Sequence, residues 1–94
     1  MLRYKMLREI LKMEIGEETI FKITDNRFLY ADNWCDEDGS WYTTLELVDG
    51  KETDGKFELG EILEIVTLEY GNKEEIKLGI KYILSHCKRR RILW

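Results

Sequence analysis

An α+β domain, with a helix at each end and an antiparallel meander between, is the fold class this sequence predicts. Three observations carry it. Apolar residues recur at helical spacing near both ends, the middle alternates at period two, and short turn signals separate the alternating runs. The 94 residues, 44 % of them hydrophobic, suit one domain over 1–94 with a packed core. The expected sheet has four to five strands, curled toward a partly open small barrel, with an amphipathic C-terminal helix packed on it.

Residues 5–13 form the first helix, because Met6, Leu7, Ile10, Leu11 and Met13 share a stripe with charges between. So short a helix is barely stable alone in water and must pack on something. Gly16 ends it. The period then changes: Thr19–Thr24 is β-branched and aromatic, Asp25-Asn26 is a tight turn, and Arg27–Ala31 returns as a second strand. Residues 32–40 read as a polar loop. In Trp41–Val48, Trp41, Thr43, Leu45 and Leu47 face one way, and Tyr42, Thr44, Glu46 and Val48 the other. Trp41 is thereby expected in the core. Asp49-Gly50 and Asp54-Gly55 are two turn signals bracketing an exposed ribbon, followed by Lys56–Leu59. Glu61–Tyr70 has a helical alternative, but Ile65-Val66-Thr67-Leu68 favours a strand. Residues 73–90 form the last helix: Ile76, Ile80, Ile83, Leu84 and Cys87 share a face, Glu74 and Glu75 open it, and Lys88–Arg91 close it, matching the helix dipole.

Composition narrows the setting. No apolar run approaches the roughly 20 residues that cross a bilayer. The opening Met1-Leu2-Arg3-Tyr4-Lys5 lacks the apolar stretch of a secretory signal, so a cytoplasmic location is expected and membrane association is not. Cys35 and Cys87 match no paired spacing and read as free thiols.

No catalytic constellation, cofactor motif or metal motif emerges, so neither an enzyme nor a cofactor is expected. His86, the sole histidine, lies between Ser85 and Cys87 on a helix, where neighbours diverge and cannot form a triad. Asp36-Glu37-Asp38-Gly39 resembles a calcium loop only superficially, because Trp41 and Leu47 stand where that motif needs glycine and glutamate. Gly79, inside the last helix, costs about 1 kcal/mol against alanine and marks a close approach to the sheet or to a second molecule.

Charge is segregated along the chain. Residues 1–72 carry a net −9 and residues 73–94 a net +5, which together give the −4 of the whole. The acidic body and the aromatics beside it point to a binding surface for a basic protein, formed by Trp34, Asp36, Glu37, Asp38, Asp49, Glu52, Asp54 and Glu58. Carboxylates on a rigid sheet can occupy a groove built for phosphates, and Trp34 can stack on an arginine. The plainer alternative is a solubilising surface that blunts sheet edges. A second candidate is the tail: Lys88, Arg89, Arg90 and Arg91 contacting nucleic-acid phosphates while Trp94 stacks on a base. The same tail could dock on the acidic body of another copy to form a homodimer, or line an oligomeric trap for a signalling nucleotide.

Residues 7–18, Leu7-Arg8-Glu9-Ile10-Leu11-Lys12-Met13-Glu14-Ile15-Gly16-Glu17-Glu18 before an alternating run, resemble the start of many small phage and prophage proteins of low-GC Gram-positive bacteria. The Ile/Lys/Glu-rich composition is similar too. The resemblance implies a setting in which short acidic proteins block a host nuclease, restriction enzyme or CRISPR effector. It supplies no site residues.

Overall fold

The computed structural model describes residues 2–92, with side chains described from 2 to 86. The elements run α1 (Leu2–Lys12), β1 (Glu18–Thr24), β2 (Arg27–Cys35), β3 (Trp41–Thr53), β4 (Lys56–Glu69) and α2 (Lys73–Ile92). The four strands pair in chain order as an antiparallel meander, β1-β2-β3-β4, which stays open. The expected α+β meander is therefore the fold, with four strands and no closed barrel.

Both helices lie on one face of the sheet. Met6, Leu7, Ile10 and Met13 from the α1 segment and Ile76, Ile80 and Ile83 from α2 are buried against Phe21, Leu29, Ala31, Leu45 and Leu47. Register brings Leu29 opposite Leu47 and Ala31 opposite Leu45, so one alternating set from each strand lines the same layer. Asn33 joins α1 to this layer. It is 1 % exposed. Its side-chain amide donates to the carbonyls of Ile10 (3.3 Å) and Met13 (3.0 Å), and its side-chain oxygen accepts from the Thr43 hydroxyl (2.6 Å). A strand residue thus adds hydrogen bonds to carbonyls at the end of α1 and just past it, beside those from the Met13 N–H to Ile10 (3.3 Å) and from the Tyr70 hydroxyl to Met13 (3.4 Å).

α2 starts at a built cap. The Asn72 side-chain oxygen accepts from the Glu75 N–H (3.1 Å), and Glu75 accepts from the Glu69 N–H (2.9 Å). Gly79 then lets the helix approach the sheet: a Cβ there would lie 2.5 Å from a Leu68 methyl and 3.2 Å from a Leu45 methyl. Of the two readings of Gly79, close approach to the sheet accounts for it.

Several boundaries differ from expectation. β2 continues past Ala31 to Cys35, so only residues 36–40 form the loop. Asp49-Gly50 is no turn, because β3 runs through it to Thr53. Register slips between Leu47 and Gly50, and Asp49 Oδ1 accepts the Glu61 N–H across the irregularity (2.6 Å). Such bulges bend a sheet. Beyond this one, the β3–β4 ribbon curls over the face opposite the helices. There Phe57 meets Phe28 edge-on at 5.2 Å, and Lys22 reaches Glu52 at 3.4 Å. Phe28 is consequently 0 % exposed although it faces away from the main core. The ribbon closes at Asp54-Gly55, with φ of 51° and 77°, the pair of positive angles a tight two-residue hairpin demands. Trp41 is not core. It is 53 % exposed at the sheet's end, beyond the reach of the helices, with its ring edge-on to Tyr70 at 5.3 Å.

Candidate functional site

The face of the sheet opposite the helices carries the most unusual chemistry among the described residues. Its side chains come from the second alternating set of each strand. Glu18 is paired with Asp32, Asp32 with Thr44, Tyr30 with Glu46, and Trp34 with Tyr42. Three adjacent strands thereby place Glu18, Asp32 and Glu46 around Tyr30. Like charges directly opposite across a strand pair are destabilising. Among the described residues no lysine or arginine lies in ion-pair range of these three carboxylates; Lys22, on the same side, pairs with Asp25 (3.8 Å) and Glu52 (3.4 Å).

Electrostatics register the crowding. Asp32 is held above the usual carboxylate range, first by partial desolvation and then by Glu18. Glu46 is raised by desolvation and by Asp32. The Tyr30 phenol donates a hydrogen bond to Glu18, and its pKa is pushed up to about 12 by that bond, by desolvation and by the surrounding carboxylates.

Aromatic rings border the acids. Trp34 stacks at a tilt on Tyr42 (4.8 Å), and its indole N–H donates to Thr44 Oγ1 at 2.8 Å. That bond fixes the ring while leaving the side chain 36 % exposed. On the β4 side Ile62 and Ile65 are 53 % and 50 % exposed. The face thus offers fixed negative charge, an immobilised indole and an apolar margin, the components of a docking surface for a cationic partner.

The residues read from the sequence as an acidic face do not converge. Trp34 belongs to the open face, but Asp36, Glu37 and Asp38 occupy the β2–β3 loop at one end of the sheet. Asp49, Glu52, Asp54 and Glu58 lie toward the other end, separated by residues 41–48 of β3, roughly 27 Å of extended strand. Most also have internal work. Asp36 Oδ1 accepts the N–H groups of Asp38 (3.0 Å) and Ser40 (2.9 Å), Asp49 pins the bulge, and Glu58 sits 3.9 Å from Lys51. Glu18, Asp32 and Glu46 were missed for a traceable reason. Ending β2 at Ala31 hid the alternation of Tyr30, Asp32 and Trp34 that puts all three on one side.

Charge segregation among the described residues is by layer. The described side chains of α1 and α2 carry seven Lys/Arg and three Asp/Glu, a net +4, whereas residues 13–72 carry four and sixteen, a net −12. The side chains of Lys88, Arg89, Arg90 and Arg91, and the whole of Trp94, lie outside the described residues. So does the side chain of Cys87, whereas Cys35 is exposed and free.

The neighbourhood of the lone histidine is a strut between α2 and β4. His86 Nε2 lies 3.1 Å from Glu64 Oε2, the Tyr82 hydroxyl donates to the same oxygen at 3.1 Å, and Ser85 Oγ turns back to the Tyr82 carbonyl at 2.8 Å. Ser85 and His86 thus point apart. Among the described residues no group of three or more His, Cys, Asp or Glu has the arrangement of a metal site, and no helix is long and apolar enough to cross a membrane. Compared with family models, curated proteins and solved structures, the chain matches none.

Proposed function

We propose that this chain is a non-catalytic binding protein that presents the open face of its sheet to a basic groove of another protein. One observation carries the reading: Glu18, Asp32 and Glu46 are gathered on three neighbouring strands with no cation of the described residues to offset them. Such an array costs the fold stability. Perturbed carboxylates on an exposed, aromatic-edged face are the kind of local conflict that binding surfaces retain. The partner's arginines and lysines supply the missing charge, and an arginine can stack on Trp34 while pairing with Asp32.

A groove that normally holds phosphates fits this description, so the partner class is a nucleic-acid-handling protein. In the phage-type setting implied by residues 7–18, that partner is a host nuclease or immune protein and the chain its inhibitor. The layer dipole favours the approach, since the negative sheet leads and the positive helices trail.

Capture from host lysate tests this, with E18Q/D32N/E46Q as the paired bait. The expected result is a basic protein retained by the wild type at low salt, released as salt rises, displaced by its own nucleic acid, and absent from the variant. Equal retention by both baits refutes the reading.

A further inference from the structure

The helical side of the molecule carries a surface of opposite character. Between α1 and α2 lies a groove of about 280 Å³, walled by Tyr4 and Leu78 over Leu7, with Arg3, Lys77 and Lys81 around it and Glu74 as the only acid among the described residues that line it. Tyr4 and Leu78 are each 65 % exposed, although they sit on helices whose other faces are buried. The volume, at the lower end of the roughly 300–1,000 Å³ range of ligand clefts, is enough for one or two large side chains. Its chemistry calls for an apolar side chain flanked by carboxylates.

This chain owns such a segment. The β3–β4 ribbon is exposed throughout residues 51–62. Between Lys51 and Glu61 it carries four carboxylates against two lysines, and among them Phe57 and Leu59 are 42 % and 43 % exposed. We propose that the α1–α2 groove receives the β3–β4 tip of a second copy of the chain. The net +4 of the described helix side chains and net −12 of residues 13–72 favour this head-to-tail approach. Edge-to-edge pairing of β4 with β4 is opposed instead, since it would bring Glu58, Glu61 and Glu69 of two copies together. A contact between two different surfaces is heterologous, so it closes a ring or grows a chain.

Sedimentation at low and high salt tests the proposal, using a groove variant, L78E/K81E, and a tip variant, D54K/E58K. All four positions are exposed, and circular dichroism checks that each variant folds. The wild type is expected to exceed its 11.3 kDa monomer mass at low salt, rising with concentration and falling with added salt. Each variant alone should be monomeric. Their mixture should associate, because the intact tip of one meets the intact groove of the other. Association of E18Q/D32N/E46Q should persist, which separates this contact from the docking role of the open face. A wild type that stays monomeric at low salt, or association untouched by either variant, overturns the proposal. So does a synthetic peptide of residues 52–59 that binds the groove of a protein that is itself monomeric, since the groove then serves a foreign acidic segment.

Discussion

Replacing Asp32 by asparagine should stabilise the protein while weakening its binding. Asp32 stands directly opposite Glu18, and Glu46 lies on the next strand of the same face. Facing side chains put two carboxylates about 6 Å apart, and at an effective dielectric near 40, between surface and bulk values, their repulsion is roughly 1–2 kcal/mol. Asparagine keeps the shape and removes the charge, so the variant should gain about that much at low salt, or roughly 4–8 °C in Tm per kcal/mol. The pH dependence follows. Asp32 titrates above its usual 3.8 in the folded protein, so the folded state holds its proton more tightly than the unfolded chain does. The wild type therefore bears the full cost at neutral pH and sheds it as pH falls through the raised value toward 3.8. Urea unfolding of both proteins at several pH values measures this. The gap should be widest near pH 7 and close under acid conditions. A variant less stable than the wild type at neutral pH, or a gap indifferent to pH, would refute the argument.

Three further outcomes are expected. Asn33→Ala removes three buried hydrogen bonds, two to the Ile10 and Met13 carbonyls and one from the Thr43 hydroxyl, and leaves that hydroxyl without its acceptor, so urea unfolding should show a loss of roughly 2–4 kcal/mol; a loss below about 1 kcal/mol would mean that these bonds do not hold α1. Gly79→Leu should cost roughly 1–3 kcal/mol by prising α2 from Leu45 and Leu68, whereas in Gly79→Ala the helix gain of about 1 kcal/mol offsets a milder clash; equal melting curves for the two variants would contradict the close packing. In a spectroscopic titration read as the difference between wild type and Tyr30→Phe, Tyr30 should ionise near pH 12. The stability its bond to Glu18 lends is then complete below the usual 10 and lost as pH rises through 12; Glu18→Gln should return the phenol toward 10, and no change would show that the bond is not the main cause.

The fold was legible where local pattern and tertiary need agree. The stripes of α1 and α2 and the alternation of Trp41–Val48 all specify the same buried layer, and the meander follows from short turns. Misreadings arose where local signals compete with long-range pairing. Asp49-Gly50 has turn chemistry, yet Asp49 is used to hold a bulge to Glu61, twelve residues on. Trp41 has the parity of a core residue but stands past the end of the helical cover, which periodicity cannot show. The acidic character of the protein was visible as composition. Its focus was not, because adjacency of Glu18, Asp32 and Glu46 depends on the registers of β1 with β2 and β2 with β3. The positive contribution of α1 was likewise masked when charge was summed along the chain, and appears once α1 and α2 are seen to share a layer.

The open face as the seat of binding is tested most directly by nuclear magnetic resonance of the isotope-labelled protein titrated with an arginine-rich peptide at low salt. Shifts should concentrate at Glu18, Tyr30, Asp32, Trp34, Tyr42 and Glu46, fade as salt is added, and vanish in E18Q/D32N/E46Q. Shifts centred on Asp36–Asp38 or on Glu52–Glu58, or spread evenly over every carboxylate, would contradict it.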